Sequence, residues 1–376
     1  MSRRMKVVLV SLFVFTGALL NTTLVFASEF CFVFVHIGNE LPSYAYTAIK
    51  QVRFMNQESS IHLLVDHSVA EDLQLKGSFI KENHVSVVDL SLLPITEEHK
   101  MFRKVSRFNK VWRDGFWNHG TERFFYLYDF MKINDIHNMI HVENDTMIYV
   151  DVEELSPFFQ ENNVQLAAPF QSMVGCPPCF VYFKDEPAYR KLIDHMLEMI
   201  RNYTGSNFDV DVQDWVTFSS FLTKFGDEYL TSFPILMPEY SQYFFKRDIP
   251  FRDTNTPLEF LSRNANLFPG YLFDAAALGI YANGHDPRNG VINSGPGVLH
   301  YKSLFDPGNF SLFWGKDKQE RIVPYLVFKE KIYRLTNLHL HSKMLDNFAS
   351  YERYQQPFPK ESHECQGFVP DLEYRK

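Results

Sequence analysis

The sequence predicts an α/β protein in which a Rossmann-type mixed sheet, flanked by helices, forms one large domain. Short apolar runs typical of buried strands alternate with longer amphipathic segments typical of helices. No repeat or low-complexity tract interrupts the predicted domain, residues 29–350, which a tail of residues 351–376 follows. Of the 376 residues, 45% are hydrophobic, which is enough to fill a core of this size.

The predicted domain begins with a β-α-β unit. Its strands cover residues 30–36 and 61–65, and its helix covers residues 44–55. A further strand is predicted over residues 85–90. Because ligands of such sheets bind at the carboxyl ends of the strands, Asp66, directly after the second strand, is a candidate ligand-binding residue.

The later elements continue this alternation. The remaining predicted strands cover residues 139–142, 165–169 and 179–183, and the remaining predicted helices cover residues 124–131, 187–202 and 212–222. Residues 101–113 mix basic and aromatic side chains, but their apolar members fall at helical spacing and predict an amphipathic helix. The net charge of -8 also argues against nucleic acid as the main partner.

An acidic triplet, Glu143-Asn144-Asp145, follows the apolar strand at residues 139–142. A buried strand that ends in two carboxylates one residue apart can direct both at one point. Oxygen ligands select a hard divalent cation such as Mn²⁺ or Mg²⁺, and substrate phosphates commonly complete its coordination. Glu143 and Asp145 are therefore candidate metal ligands, with an ordinary Asn- and Asp-rich turn as the alternative.

His339 and His341 are further candidate ligands near the C-terminus. Both are predicted to lie on one face of a strand-like run over residues 333–341. Neutral imidazole can bind Mn²⁺ beside carboxylates, and Lys343 offers a positive charge for a phosphate. The spacing leaves the choice between the histidines open, although we prefer His341 because it is nearer to Lys343. Hydrogen-bonded histidines without a metal are the alternative.

The order of these features resembles the GT-A class of nucleotide-sugar-dependent glycosyltransferases. In that class an Asp-x-Asp motif follows a β-α-β unit, an aromatic helix and an apolar strand, and Glu143-Asn144-Asp145 stands at that place here. The class commonly adds a second acidic motif, matched by Asp211-Val212-Gln213-Asp214, and a C-terminal histidine near a lysine. The resemblance covers most of the chain in outline. The departure is Glu143, where the motif has Asp.

This resemblance implies transfer of a sugar from a nucleoside-diphosphate donor to a hydroxyl of a glycan, protein or lipid acceptor. The metal ion would act as the acid for the leaving group, with Glu143, Asp145 and a C-terminal histidine as its ligands. The residues implied in donor binding are Asp66, Asn144 and Lys343.

An inverting enzyme would also need a carboxylate to accept the proton of the acceptor hydroxyl. Asp214, Asp211 and Asp274 are the candidates. Asp274 lies in a segment of small residues, 273–279, and could equally cap a short helix.

The first 27 residues are predicted to be a targeting segment. Arg3, Arg4 and Lys6 precede an apolar stretch over residues 7–27, as in a signal peptide. The stretch is also long enough to span a bilayer, so an uncleaved anchor of a single-pass type II membrane protein is the alternative. In either case the rest of the chain is expected in the lumen of the secretory pathway, in the endoplasmic reticulum or Golgi, or outside the cell.

The four cysteines favour a structural over a catalytic interpretation. Their even number suggests disulfides in an oxidising compartment. Cys176 and Cys179 have the spacing of a thiol oxidoreductase, but a strand-like segment follows where that motif requires a helix. A structural bridge or a tight loop is the better interpretation. The main functional alternative is a secreted, non-catalytic carbohydrate-binding protein, since 16% of the residues are aromatic and suit sugar stacking.

Overall fold

A computed structural model describes most of the chain after the N-terminal segment. The described residues are 28–75, 77–242, 256–286, 288, 295–298 and 303–353. The predicted targeting segment, nearly all of the predicted tail and Cys365 lie outside these ranges. No helix within the ranges is long and apolar enough to cross a membrane.

Seven strands form a mixed sheet that positions the candidate site. The strands of the described residues are β1 Cys31–His36, β2 Ser60–Val65, β3 Val85–Asp89, β4 Met139–Val142, β5 Thr146–Ile148, β6 Leu166–Pro169, β7 Phe180–Phe183, β8 Leu230–Phe233, β9 Tyr271–Leu272, β10 Ser311–Lys316, β11 Ile322–Phe328, β12 Lys331–Leu335 and β13 Asn337–His339. The order in the sheet is β3-β2-β1-β4-β7-β6-β8. β7 is antiparallel to both neighbours, and the other neighbouring pairs are parallel. β4 and β7 are buried along their whole length, which explains their continuous apolar sequences.

Helices flank the sheet and are joined to it by aromatic packing. The helices of the described residues are α1 Ser43–Met55, α2 His67–Leu75, α3 Ser78–Glu82, α4 Glu97–Val105, α5 Phe116–Asn134, α6 Ser156–Glu161, α7 Glu186–Asn202, α8 Phe208–Asp211, α9 Asp214–Phe225, α10 Leu258–Ser262, α11 Ala277–Asn283 and α12 Ser350–Arg353. The ring of Tyr189 in α7 stacks on that of Phe183 in β7 with centroids 3.9 Å apart. Asp185 caps α7 by accepting a hydrogen bond from the Ala188 N–H.

Two smaller sheets bring the C-terminal part of the chain to the main sheet. One has the order β10-β11-β12-β9. The other consists of β13 and β5, which are antiparallel and place His339 opposite Thr146. Because β5 directly follows the acidic triplet, this pairing carries the C-terminal histidine to the loop between β4 and β5.

The predicted fold class, an α/β protein with a Rossmann-type mixed sheet flanked by helices, is confirmed. The predicted β-α-β unit corresponds to β1, α1 and β2, with bounds that differ by at most one residue. The aromatic helix predicted over residues 124–131 extends further in both directions, as α5.

The predicted helix over residues 101–113 is wrong in its second half. α4 ends at Val105. The side chain of Asn109 accepts hydrogen bonds from two backbone N–H groups of the following turn, and this local pairing competes with the helical pattern. A 3-10 turn, Trp112–Gly115, then leads into α5.

The predicted strand-like run over residues 333–341 is two strands in two different sheets. β12 ends at Leu335 and β13 begins at Asn337. Between them, the hydroxyl of Thr336 donates a hydrogen bond to the carbonyl of β9 residue Leu272. β13 ends at His339, so the two histidines do not share one strand.

A buried ion-pair network joins the four-stranded sheet to the segment after β5. Arg334 of β12 donates hydrogen bonds to the carboxylates of Asp317, at 3.1 Å, and Glu154, at 2.9 Å. The Asp317 side chain is only 1% exposed. Arg321 also pairs with Asp317, at 2.8 Å, so removal of Arg334 leaves this buried carboxylate with one cation in place of two.

We predict that Arg334→Met lowers the free energy of unfolding by about 2–4 kcal/mol, because Asp317 keeps only Arg321 as a buried cation and the Tyr149 carbonyl loses its donor. Lys316→Met is a matched control, since Lys316 pairs with Glu320 at the surface, and it should change stability by less than about 1 kcal/mol. Urea unfolding followed by tryptophan fluorescence measures both. Equal effects of the two substitutions would contradict a structural role for the network.

Candidate functional site

Two carboxylates and an imidazole converge where the β4–β5 loop meets β13. Ligand atoms of Glu143, Asp145 and His339 all lie within 4.8 Å of one another. The Nε2 atom of His339 is 3.1 Å from Glu143 Oε2 and 3.2 Å from Asp145 Oδ1. Two carboxylate oxygens and one nitrogen are a suitable donor set for Mn²⁺ or Mg²⁺.

A tight turn directs both carboxylates to this point. The Thr146 N–H donates to the Glu143 carbonyl, and the Asp145 carbonyl accepts a hydrogen bond from the Leu340 N–H at 2.9 Å. Asn144 points the other way, and its Nδ2 donates to the carbonyl of Val35 at the end of β1. The alternation along the turn therefore places Glu143 and Asp145 on the side of His339.

Asp274 holds the histidine strand in place. Its carboxylate accepts hydrogen bonds from three backbone N–H groups, those of Leu278, Gly279 and His339, each at 2.9 Å. It thus caps α11, as the sequence allowed, and also fixes the backbone of β13. α11 lies so close to β13 that a Cβ at Gly279 would be 2.0 Å from the His339 carbonyl oxygen. Only glycine permits this approach.

Opposite charges compensate the two buried carboxylates. Burial disfavours the charged form of His339, but Asp145 and Glu143 outweigh burial and raise the pKa of His339 well above its ordinary value. Burial also opposes ionisation of Asp145, yet the ammonium of Lys343 and the ring of His339 hold the pKa of Asp145 well below its ordinary value. Lys343 forms an ion pair with Asp145. The imidazolium therefore occupies the position where a cation would bind.

Arg123 of α5 is a functional candidate that the sequence analysis missed. One of its nitrogens pairs with the Glu143 carboxylate, and Nη2 is 2.7 Å from Asp214 Oδ2. Burial raises the pKa of Asp214 to about 6, although Arg123 opposes this shift. Ninety-one positions separate Arg123 from Asp214, and no local spacing connects them. The available signal was an arginine directly before the aromatic segment at residues 124–131.

A cavity of about 850 Å³ opens beside the cluster, a volume within the range of ligand-binding clefts. Glu143, Arg123 and Asp214 line it at one side. Asp66 also lines it and accepts a hydrogen bond from the Gly38 N–H at 2.7 Å. The cavity is thus continuous with the metal-ligand cluster through Glu143.

The structure does not bring every candidate into this site. Asp211 lies on the exposed helix α8, where its carboxylate accepts a hydrogen bond from the Tyr203 hydroxyl. It neither lines the cavity nor joins the cluster. His341 follows the end of β13, and its ring packs against that of His339 with centroids 4.4 Å apart. The geometry thus favours His339 as the ligand, the reverse of the preference drawn from the sequence.

The Cys176–Cys179 segment is a tight loop with reduced thiols. Cys176, Cys179 and Cys31 are free and buried, so the expected disulfides are not formed among these three. The Cys179 N–H donates to the Pro177 carbonyl at 2.8 Å. Burial raises the pKa of Cys179 to about 11. A buried, neutral thiol is unlike the exposed, low-pKa cysteine of a thiol oxidoreductase.

No protein-family model matches the chain, and no curated protein matches it. Several solved glycosyltransferases resemble part of it. Xyloside xylosyltransferase 1 of mouse is 11% identical over 57% of this chain and 90% of its own, with a TM-score of 0.39. The glycosyltransferase GlyE of Streptococcus pneumoniae is 17% identical over 54% of this chain and 45% of its own, with a TM-score of 0.33. The galactosyltransferase LgtC, in complex with donor and acceptor sugar analogues, is 14% identical over 58% of this chain and 80% of its own, with a TM-score of 0.35. At TM-scores below 0.5 this likeness does not bear on function.

We predict that metal-free protein becomes less stable as the pH rises above about 6.5, through a component that depends on His339. The pKa of His339 is higher in the folded protein than in the unfolded chain. The charged ring therefore contributes its full stabilisation at any pH below the unfolded pKa. This contribution is lost by about 1.4 kcal/mol per pH unit as the pH rises towards the folded pKa. Urea unfolding in EDTA, between about pH 6 and pH 9, measures it.

His339→Gln should remove this pH-dependent component. His137→Gln, at a side chain that is 63% exposed, should retain it and serves as the matched control. If wild type and His339→Gln show the same dependence on pH, His339 is not the protonated group.

Proposed function

We propose that the protein is a metal-dependent glycosyltransferase that uses a nucleoside-diphosphate sugar as its donor. The observation that carries this proposal is the convergence of Glu143, Asp145 and His339 beside a cavity large enough for such a donor. A bound Mn²⁺ or Mg²⁺ would neutralise the negative charge that develops on the leaving diphosphate.

The surrounding residues suit this assignment. Glu143, Asp145 and His339 would hold the ion and leave coordination positions for phosphate oxygens. Lys343, at the Asp145 carboxylate, supplies a compact positive charge for a phosphate. Asp66 lines the cavity at the end of β2, where donors bind in open α/β sheets.

Asn144 is a further proposed donor-binding residue. Its Oδ1 atom is buried without a hydrogen-bond partner, although its Nδ2 is satisfied. A buried acceptor without a hydrogen bond is costly, and a hydroxyl group of the bound nucleotide sugar would satisfy it.

Among the proposed bases, Asp214 is the residue that the geometry supports. It lines the cavity, and its pKa of about 6 is close to the value expected of a general base that works near neutral pH. Arg123 orients its carboxylate. Asp274 is already occupied by three backbone N–H groups, and Asp211 lies away from the cavity.

Aromatic rings beside the cavity support a carbohydrate acceptor. Phe116 and Trp117 line the cavity, and Trp112 stacks on Trp117 with ring centroids 5.8 Å apart. Phe116 and Trp112 are each 44% exposed. Exposed aromatic faces next to polar groups suit the apolar faces and hydroxyls of a sugar.

From the N-terminal segment, we propose that transfer takes place in the secretory pathway lumen or outside the cell, by a secreted or membrane-anchored protein.

We predict that the protein binds UDP or GDP at least about tenfold more tightly with Mn²⁺ than with EDTA, because the ion links the carboxylates to the diphosphate. Asp145→Asn should abolish this dependence. Asp135→Asn, at a carboxylate that is 97% exposed, should leave it unchanged. Calorimetric titration with each nucleotide measures the affinities, and a panel of nucleotide sugars then identifies the donor by the nucleotide it releases.

The non-catalytic alternative gives a different result. Sugar binding without Mn²⁺, unchanged by Asp145→Asn and accompanied by no nucleotide release from any donor, would favour a carbohydrate-binding protein and contradict the proposed transferase.

A further inference from the structure

Cys179 contacts both segments that form the metal-ligand cluster. Its backbone carbonyl accepts a hydrogen bond from the Glu143 N–H at 3.1 Å. Its thiol donates to the Asp274 carbonyl at 3.5 Å, and its sulfur accepts a hydrogen bond at 3.8 Å from Nδ2 of Asn337, which shares a face of β13 with His339. The residue is fully buried. Cys179 thus connects the acidic loop, the α11 cap and the histidine strand.

The His339 ring has one nitrogen that lacks an evident partner. Nε2 faces Glu143 and Asp145, at 3.1 and 3.2 Å. Nδ1 is buried and has no hydrogen-bond partner, in a side chain that is 5% exposed. A histidine that binds a metal through one nitrogen almost always donates the N–H of the other to an acceptor, which fixes the ring and its tautomer.

We propose that Cys179 is a positioning residue whose sulfur accepts the Nδ1 proton of His339 and keeps Nε2 directed at Glu143 and Asp145. The thiol proton is engaged by the Asp274 carbonyl and Nδ2 of Asn337 donates to the sulfur, which leaves the second lone pair of the sulfur for the ring. Burial keeps this thiol neutral at physiological pH. The assignment rests on the proposed metal site, and it gives a role to the second cysteine of the Cys-Pro-Pro-Cys motif.

Cys176 provides a matched control three residues away. It is also fully buried, and its thiol donates to the Pro169 carbonyl at 3.3 Å. A substitution there removes the same volume and the same type of group, but leaves the hydrogen bonds of Cys179 in place. Effects of general core packing should therefore be similar at the two positions, whereas effects of ring positioning should be confined to Cys179.

We predict that Cys179→Ala lowers the affinity of the full chain for Mn²⁺ by about tenfold or more. Cys179→Ser should stay within about threefold of wild type, since its hydroxyl retains an acceptor for Nδ1–H. Cys176→Ala should also bind as wild type. Electron paramagnetic resonance of free Mn²⁺ measures the affinities, and circular dichroism establishes that each variant is folded. If Cys179→Ala does not fold, Cys179→Val fills the space without an acceptor and replaces it.

A second measurement tests the hydrogen bond without metal. In protein labelled with ¹⁵N-histidine, the Nδ1–H signal of His339, identified by its loss in His339→Gln, should be protected from solvent exchange. It should remain protected in Cys176→Ala and lose protection in Cys179→Ala.

The assignment is wrong if folded Cys179→Ala binds Mn²⁺ with wild-type affinity, or if Cys179→Ala and Cys176→Ala lose Mn²⁺ affinity equally. It is also wrong if the Nδ1–H signal of His339 is unchanged in Cys179→Ala. If the wild type fails to bind Mn²⁺, the proposed function fails. The resonance measurement still decides the role of Cys179 in that case.

Discussion

The structure depends on the compensation of buried negative charge at the loop between β4 and β5. The side chains of Glu143 and Asp145 are only 15% and 8% exposed, and carboxylates held this close together repel each other. Arg123, Lys343 and His339 supply the compensating charge. Because these cations come from α5, the C-terminal turn and β13, the site forms only when distant parts of the chain fold together.

This balance explains how one arrangement serves both the fold and a cation site. In the metal-free protein the protonated His339 lies between two carboxylates, and a divalent ion would supply the same positive charge more strongly. The scaffold behind the ring is rigid, since Asp274 is saturated by backbone N–H groups and Gly279 packs against the strand. The ligands are thus held together before any ion arrives, which reduces the ordering cost of binding.

Local sequence patterns predicted six of the seven strands of the main sheet, because buried strands and amphipathic helices have distinct periodicities. The strand β8 was not predicted. The acidic pair was also predictable, since it directly follows a buried strand. Arg123 was not, because its partner Asp214 is ninety-one positions away and only tertiary packing joins them. Similarly, spacing placed His339 and His341 on one face of a single strand, whereas β13 ends at His339 and His341 lies beyond it. The helix over residues 101–113 failed because the Asn109 side chain stabilises a turn.

The most direct test of the central claim is an anomalous difference map from crystals soaked in Mn²⁺. We predict one strong peak at the β4–β5 loop, from an ion coordinated by carboxylate oxygens of Glu143 and Asp145 and by Nε2 of His339. A peak bound elsewhere, or none at this loop at saturating Mn²⁺, would contradict it.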